Sequence, residues 1–282
     1  MKKLFFLIAL VSLSISAMAQ VDGEFSVSET KKVTFSSGNL LYDKDSHTWS
    51  FAEDQLMTFR DEPSLKDKYM HLFGWSGGII NKYFTTDRSK TSSKSAKNGS
   101  ENRDPKFGVN MSIAQYDYFG SFVDWGMKQI GSDSAEVWRT LTFAEWNYIF
   151  EGRKNASELW GFAQVWSYNG LVILPDNWVV PKGVDFKPGY YDEEGEYHFS
   201  NHQTFTEAQW KRMEAAGAIF LPASGYRFGE DASNNEYCGY YWSATAEGTN
   251  KAYCLYFVAN GKNVGSNYRH YGHSVRLVKD KQ

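Results

Sequence analysis

The chain has 282 residues, 42% hydrophobic and 22% charged, which fits a globular protein and excludes long-range disorder. Lys+Arg number 30 against 33 Asp+Glu, a net charge of −3. No basic excess exists to hold a phosphate backbone, so nucleic acid is not an expected partner. The outlying number is aromatic content: 10 Trp, 18 Tyr and 20 Phe make up 17% of the chain.

At the N-terminus, Lys2 and Lys3 precede an apolar run from Leu4 to Ile15, followed by Ala17, Met18, Ala19 and Gln20. A positive start, a short apolar run and small residues at −3 and −1 predict a secretory signal peptide over residues 1–19, cleaved near Ala19-Gln20. The mature chain, residues 20–282, is then expected in the periplasm, outside the cell or on its surface. No run is long and apolar enough to predict a transmembrane segment.

Phe25-Ser26-Val27 and Val33-Thr34-Phe35 alternate in the strand period, Ser37-Gly38-Asn39 punctuates them, and His47 to Phe51 is a further β-rich segment. Residues 85–106 hold one alanine as their only apolar residue and read as a long polar loop or insertion. Thr142 to Glu145 is a capping box, with Phe143, Trp146, Ile149 and Phe150 at helical spacing and Gly152 suited to the C-terminal cap. Thr206 to Gln209 opens a second helix, with Trp210 and Met213 on one face and Gly217 at its end. Leu171–Leu174 and Ala218–Leu221, each followed by Pro, are too short for helices and read as buried strands. Tyr240–Thr245 and Ala252–Phe257 flank the turn residues Glu247 to Asn250; Asn260-Gly261 marks another turn, and Ser274–Val278 alternates as a final strand. These elements predict one α+β domain over residues 20–282, with short irregular antiparallel strands and about two main helices.

Cys238 and Cys254 fall on consecutive predicted strands. An oxidising compartment permits a disulfide, yet simple hairpin register does not set the two opposite each other; the alternative is two small buried hydrophobes. The six histidines, His47, His71, His198, His202, His270 and His273, form no HExxH pattern, and no GxSxG element or phosphate-binding glycine loop is present.

The run from Gly239 to Thr245, with Ala252–Phe257 and Gly272–Val278, resembles the Fibrobacter succinogenes major paralogous domain family, secreted proteins of Bacteroidetes-type bacteria. Trp138 to Trp146 is similar to the Arg-Leu-Pro-Thr-Glu-Ala-Glu-Trp-Glu segment of the formylglycine-generating, sulfatase-modifying-factor family. Both resemblances imply a C-type-lectin-like fold, an irregular β-scaffold that displays variable loops. Neither activity transfers residue by residue. Cys238 and Cys254 do not sit in the reactive pair of the formylglycine-generating enzymes, and the calcium triplets of sugar-binding lectins are absent; Trp242-Ser243-Ala244 occupies a loosely similar place. Asp133-Ser134-Ala135 fits the short O-glycosylation acceptor pattern that the resemblance implies.

Asp231, Asn234, Asn235 and Glu236 are the calcium candidates, hard oxygen ligands in one loop, though their spacing is not that of an EF-hand and a solvated turn is the simpler reading. No other cofactor is expected. Asp192 to Glu196 reads as a solvated acidic turn. Trp138, Trp146, Trp160, Trp166, Trp178 and Trp210 stand at apolar or helix-face positions and are expected to fill the core. The tyrosines after residue 225 are interleaved with Gly, Asn and Ser, the composition of recognition loops. Tyr226, Tyr237, Tyr241, Trp242, Asn263, Tyr268, Arg269, His270 and Tyr271 are the candidate ligand-binding residues, against the alternative that half of the tyrosines face the core. Arg276, in the final strand, is expected to make a buried ion pair or hydrogen bonds. The leading expectation is a secreted, non-enzymatic binding or display module for a glycan or protein. An extracellular carbohydrate-active enzyme and a structural surface subunit are the alternatives.

Overall fold

The computed structural model describes residues 20–58, 68–76, 122–189, 198–228, 231–233, 235–248, 251–269 and 271–281. Residues 1–19, 85–106 and 192–196, expected to be a signal peptide, a polar loop or insertion and an acidic turn, lie outside the described residues.

In chain order the strands begin with β1 (Phe25–Ser26), β2 (Lys32–Phe35), β3 (Leu40–Asp43), β4 (Thr48–Phe51), β5 (Tyr69–Met70) and β6 (Arg139–Thr140). Helix α1 (Phe143–Asn147) opens on the Thr142–Glu145 capping box and runs on as a π-helical turn over Tyr148–Gly152. Gly152 does not serve as the expected left-handed cap. The turn ends on Arg153 at φ −75, and the glycine is needed because a Cβ there would meet the Tyr148 ring at 2.4 Å. Next come β7 (Trp160–Val165), β8 (Tyr168–Ile173), α2 (Phe199–His202), β9 (Thr204–Phe205) and α3 (Glu207–Ala215). Here the glycine expectation holds: Gly217 follows α3 at φ +92, and its Cβ would strike Gly23 Cα at 2.7 Å. The chain continues with β10 (Ile219–Pro222), β11 (Tyr226–Phe228), β12 (Asp231–Ser233), β13 (Cys238–Glu247), β14 (Lys251–Val258), β15 (Gly261–Tyr268) and β16 (Leu277–Asp280).

The protein is α+β, with small sheets that are antiparallel except where β9 joins β7 in parallel. β16 pairs with β2 on one side and β6 on the other, so the first and last described strands share one sheet, ordered β1-β2-β16-β6. The sheet β13-β14-β15 is the longest, and β13 and β14 send side chains into cores on both faces, while β15 stays partly exposed along its length. Tyr241, Leu255 and Phe257 point into one core with Phe35, Trp146 and Phe162. Trp242, Ala252 and Cys254 point into a second with Trp49, Phe73, Trp75 and Trp138. A third core packs β7, β8 and β10 against α3 through Val172, Phe205, Trp210, Met213 and Phe220.

Most of the expected core tryptophans are buried or partly buried. Trp166 is the correction: it sits at the β7–β8 hairpin tip, 61% exposed, with φ +58. Helical or apolar neighbours in sequence do not bury a side chain that the turn geometry sends outward.

Candidate functional site

Five stretches of backbone converge to place a row of tyrosine rings. Tyr240 of β13 stands opposite Tyr256 of β14, and Tyr256 stands opposite Asn263 of β15, so all three share one face of the sheet. Segment 271–274 is laced alongside. Ser274 N donates to Tyr240 O, Trp242 N donates to Ser274 O, and Gly272 exchanges two backbone hydrogen bonds with Arg227 of β11. That lacing brings Tyr226 and Tyr271 beside Tyr240.

The rings form one continuous array. Centroids are 4.6 Å apart for Tyr256–Tyr240, 5.5 Å for Tyr240–Tyr226, 5.7 Å for Tyr226–Tyr271 and 6.1 Å for Tyr271–Tyr268. These spacings fall within the range of favourable aromatic pairs. The array has a rigid backing. His273, fully buried, stacks on Tyr240 at 4.7 Å and on Trp242 at 4.0 Å, and its Nε2 lies 3.3 Å from Asn267 Nδ2. The front is open: Tyr226, Tyr240, Tyr256 and Tyr271 are partly exposed, Tyr268 is 38% exposed, and Asn263 is exposed. Lys251 Nζ lies 5.3 Å from the Tyr268 ring and adds a cation at that end.

Burial raises the phenol pKa values of Tyr240, Tyr256 and Tyr271, so these hydroxyls are neutral donors and acceptors at neutral pH. Burial likewise pushes the Cys238 and Cys254 thiols up to about 12. Neither is a thiolate near neutrality, and the thiolate is the reactive form.

The structure divides the sequence candidates. Tyr226, Asn263, Tyr268 and Tyr271 come together, while Tyr237, 69% exposed at the start of β13, makes no ring contact with the array among the described residues. Tyr241 and Trp242 are corrections. They are 0% and 1% exposed, because a strand covered on both faces buries odd and even residues alike. Tyr241 hydroxyl donates to Pro222 O at 2.8 Å, and Trp242 Nε1 donates to Phe73 O at 2.6 Å. Arg269 is a third correction. It is 5% exposed, donates from Nε to Lys251 O and from Nη2 to Gly248 O, and stacks over Trp75 at 4.5 Å. Its guanidinium is spent tying the end of β15 to the β13–β14 turn. His270 lies outside the described residues.

The two cysteines form no disulfide. Cys254 faces Trp242 and Cys238 faces Val258, so four residues of β13 separate the two levels, too far for a bridge. Of the calcium candidates, Asn234 lies outside the described residues, Asp231 pairs with Phe228 through the backbone, and Glu236 takes φ +73 beside Asn235 in a turn. Among the described residues no group of three or more His, Cys, Asp or Glu is placed to hold a metal ion. Among the same residues no helix is long and apolar enough to cross a membrane.

Sequence reasoning missed Tyr256 and left Tyr240 outside the candidate set. The signal for Tyr256 lay in the Asn260-Gly261 turn, which fixes Val258 opposite Gly261 and therefore Tyr256 opposite Asn263.

A family model described as a domain of unknown function, DUF8237, matches residues 200–278, the stretch that holds α3, the sheet β13-β14-β15 and the whole tyrosine array. Comparison with curated proteins and with solved structures returns no match.

Proposed function

We propose that this protein is a non-enzymatic binding module whose tyrosine array receives a glycan. The observation that carries the reading is the unbroken row from Tyr256 through Tyr240, Tyr226 and Tyr271 to Tyr268, braced from behind by His273 and open in front. The C–H faces of sugar rings pack on aromatic faces, while neutral phenols and the Asn263 amide supply hydrogen bonds to hydroxyls. A C-type-lectin-like scaffold and export by the N-terminal signal peptide belong to the same reading, on the strength of the sequence resemblances above. The binding would use no calcium triplet, since none is present in the sequence.

The test is a glycan array probed with the mature chain and with a Tyr268→Ala/Tyr271→Ala double variant. Both side chains lie at the exposed end of the row, so the melting temperature should hold while binding falls at least tenfold. Binding that survives the double change, or no glycan bound by the parent protein, overturns the reading.

A further inference from the structure

Strand β15 ends its sheet, and among the described residues no strand pairs with its outer side. Its neighbours show which groups point outward. On β13, Cys238 O accepts from Gly225 N, Tyr240 O accepts from Ser274 N, and Trp242 N donates to Ser274 O, so these residues bond away from β14. Gly239 and Tyr241 therefore bond toward β14, to Phe257 and Leu255. Val258, Tyr256 and Cys254 are left to bond Gly261, Asn263 and Gly265 of β15. The outward residues of β15 are then Lys262, Val264, Ser266 and Tyr268. Tyr268 is satisfied locally: its N donates to Asn267 Oδ1 and its O accepts from Tyr271 N. Among the described residues, the outward N–H and C=O groups of Lys262, Val264 and Ser266 carry no hydrogen bond.

Natural proteins blunt such an edge with proline, a bulge, a short strand or charged side chains, lysine above all. β15 is eight residues long and carries a single charge. It pairs with β14 over eight consecutive positions without a register shift, and it contains no proline. Its one charge, Lys262, is turned onto the sheet face, with Nζ 2.9 Å from Glu151 Oε1 and 4.5 Å from the Phe150 and Trp160 rings.

We propose that β15 pairs antiparallel with β15 of a second copy of this chain, joining two three-stranded sheets into one of six strands. A two-fold axis at Val264 sets Val264 opposite its own copy and Lys262 opposite the second copy's Ser266. Every open donor then meets an open acceptor, and no like charges stand opposite each other. A second copy is the occupant the edge itself specifies, because the same three residues complete both rows. Asn263 lies on the array face of the same strand, so both tyrosine rows end up on one face of the joined sheet. The pairing does not depend on what those rows bind.

The test is sedimentation of the mature chain across a wide concentration range. The parent protein should show a dimer that dissociates on dilution. Ser266→Pro removes an outward N–H but no bond to β14, and should be monomeric at every concentration. Ser266→Lys, which sets two lysines opposite each other, keeps the test open should the proline variant misfold. It should give the same loss with an unchanged melting temperature. A parent protein that is monomeric throughout, as for an edge reserved for a foreign peptide, overturns the proposal. So does a dimer that a folded Ser266→Lys variant leaves intact.

Discussion

Gln55 links a buried cation to its nearest balancing charge through an amide. Arg276, 1% exposed, donates from Nη2 to Gln55 Oε1 at 2.5 Å, and Gln55 Nε2 donates to Glu214 Oε1 at 2.7 Å. Gln55 Oε1 also accepts from Phe220 N at 2.9 Å. Among the described residues Arg276 thus makes one side-chain hydrogen bond and no direct ion pair, and burial pulls its guanidinium down to about 10. Removing the relay leaves a buried charge and a buried amide without partners. Gln55→Ala is expected to cost about 3 kcal/mol in a urea unfolding experiment. The cysteines give a second prediction at this scale. The ordinary thiol value is 9.0, and burial pushes both up to about 12. Between those values the folded state holds protons that the unfolded chain has released. The stability they contribute is therefore full below pH 9 and is lost as pH rises toward 12, at up to about 1.4 kcal/mol per pH unit for each thiol. The depressed guanidiniums of Arg153 and Arg276 act with the opposite sign, but only above about 10. The denaturation midpoint should fall between pH 8 and pH 10, and a Cys238→Ala/Cys254→Ala variant should flatten that fall. An equal slope in both proteins would remove the cysteines as its cause.

Helix α1 is held at its start by a network that reaches the last strand. Thr142 and Glu145 close the capping box at 3.2 and 2.8 Å, while Arg139 donates to both Glu145 oxygens at 2.8 Å and to Asp280 Oδ1 at 2.6 Å. Thr142→Ala is expected to cost about 1 kcal/mol, the usual value of a cap. Arg139→Lys keeps the charge but loses the fork, and should cost about 1–2 kcal/mol by the same measurement. Elements of this local kind were readable in advance, because a cap depends on four consecutive residues. Both capping boxes and the Asn260-Gly261 turn formed where the sequence put them, whereas the last strand, expected over Ser274–Val278, runs over Leu277–Asp280, because 272–274 is drawn into isolated bridges with β11, β13 and Phe73. The faces of β13 were not readable. Tyr240-Tyr241-Trp242 is aromatic at every position, so period-two alternation carries no information about which ring faces outward. The register shift between Trp242 and Ala246 also breaks any count of cross-strand partners from the β13–β14 turn. The array needed segment 271–274 and β11 in place before Tyr226 met Tyr240, and those contacts span more than a dozen residues.

At the scale of the whole molecule, one sheet is shared by two cores. Leu255 and Phe257 pack with Phe35, Trp146 and Phe162, and on the reverse side Cys254 and Trp242 pack with Phe73, Trp75 and Trp138. Neither core can lose its packing without exposing the sheet that the other rests on. Unfolding is therefore expected as one transition, with near-ultraviolet and far-ultraviolet circular dichroism superimposing. Leu255→Ala, in the first core, should lower both curves together by about 3 kcal/mol. Separate midpoints would show that the two cores are independent.

The outward indole at the β7–β8 tip has a practical consequence. Of the 10 tryptophans, Trp166 alone is exposed, while most of the others have less than a tenth of their surface in water. Its emission will be the red-shifted, iodide-quenchable fraction of the intrinsic fluorescence. It stands in the third core's hairpin rather than in the tyrosine array, with its nearest ring neighbour Tyr168 at 6.1 Å. The native chain therefore carries an optical label that reports on tumbling and encounter while leaving the proposed binding surface untouched.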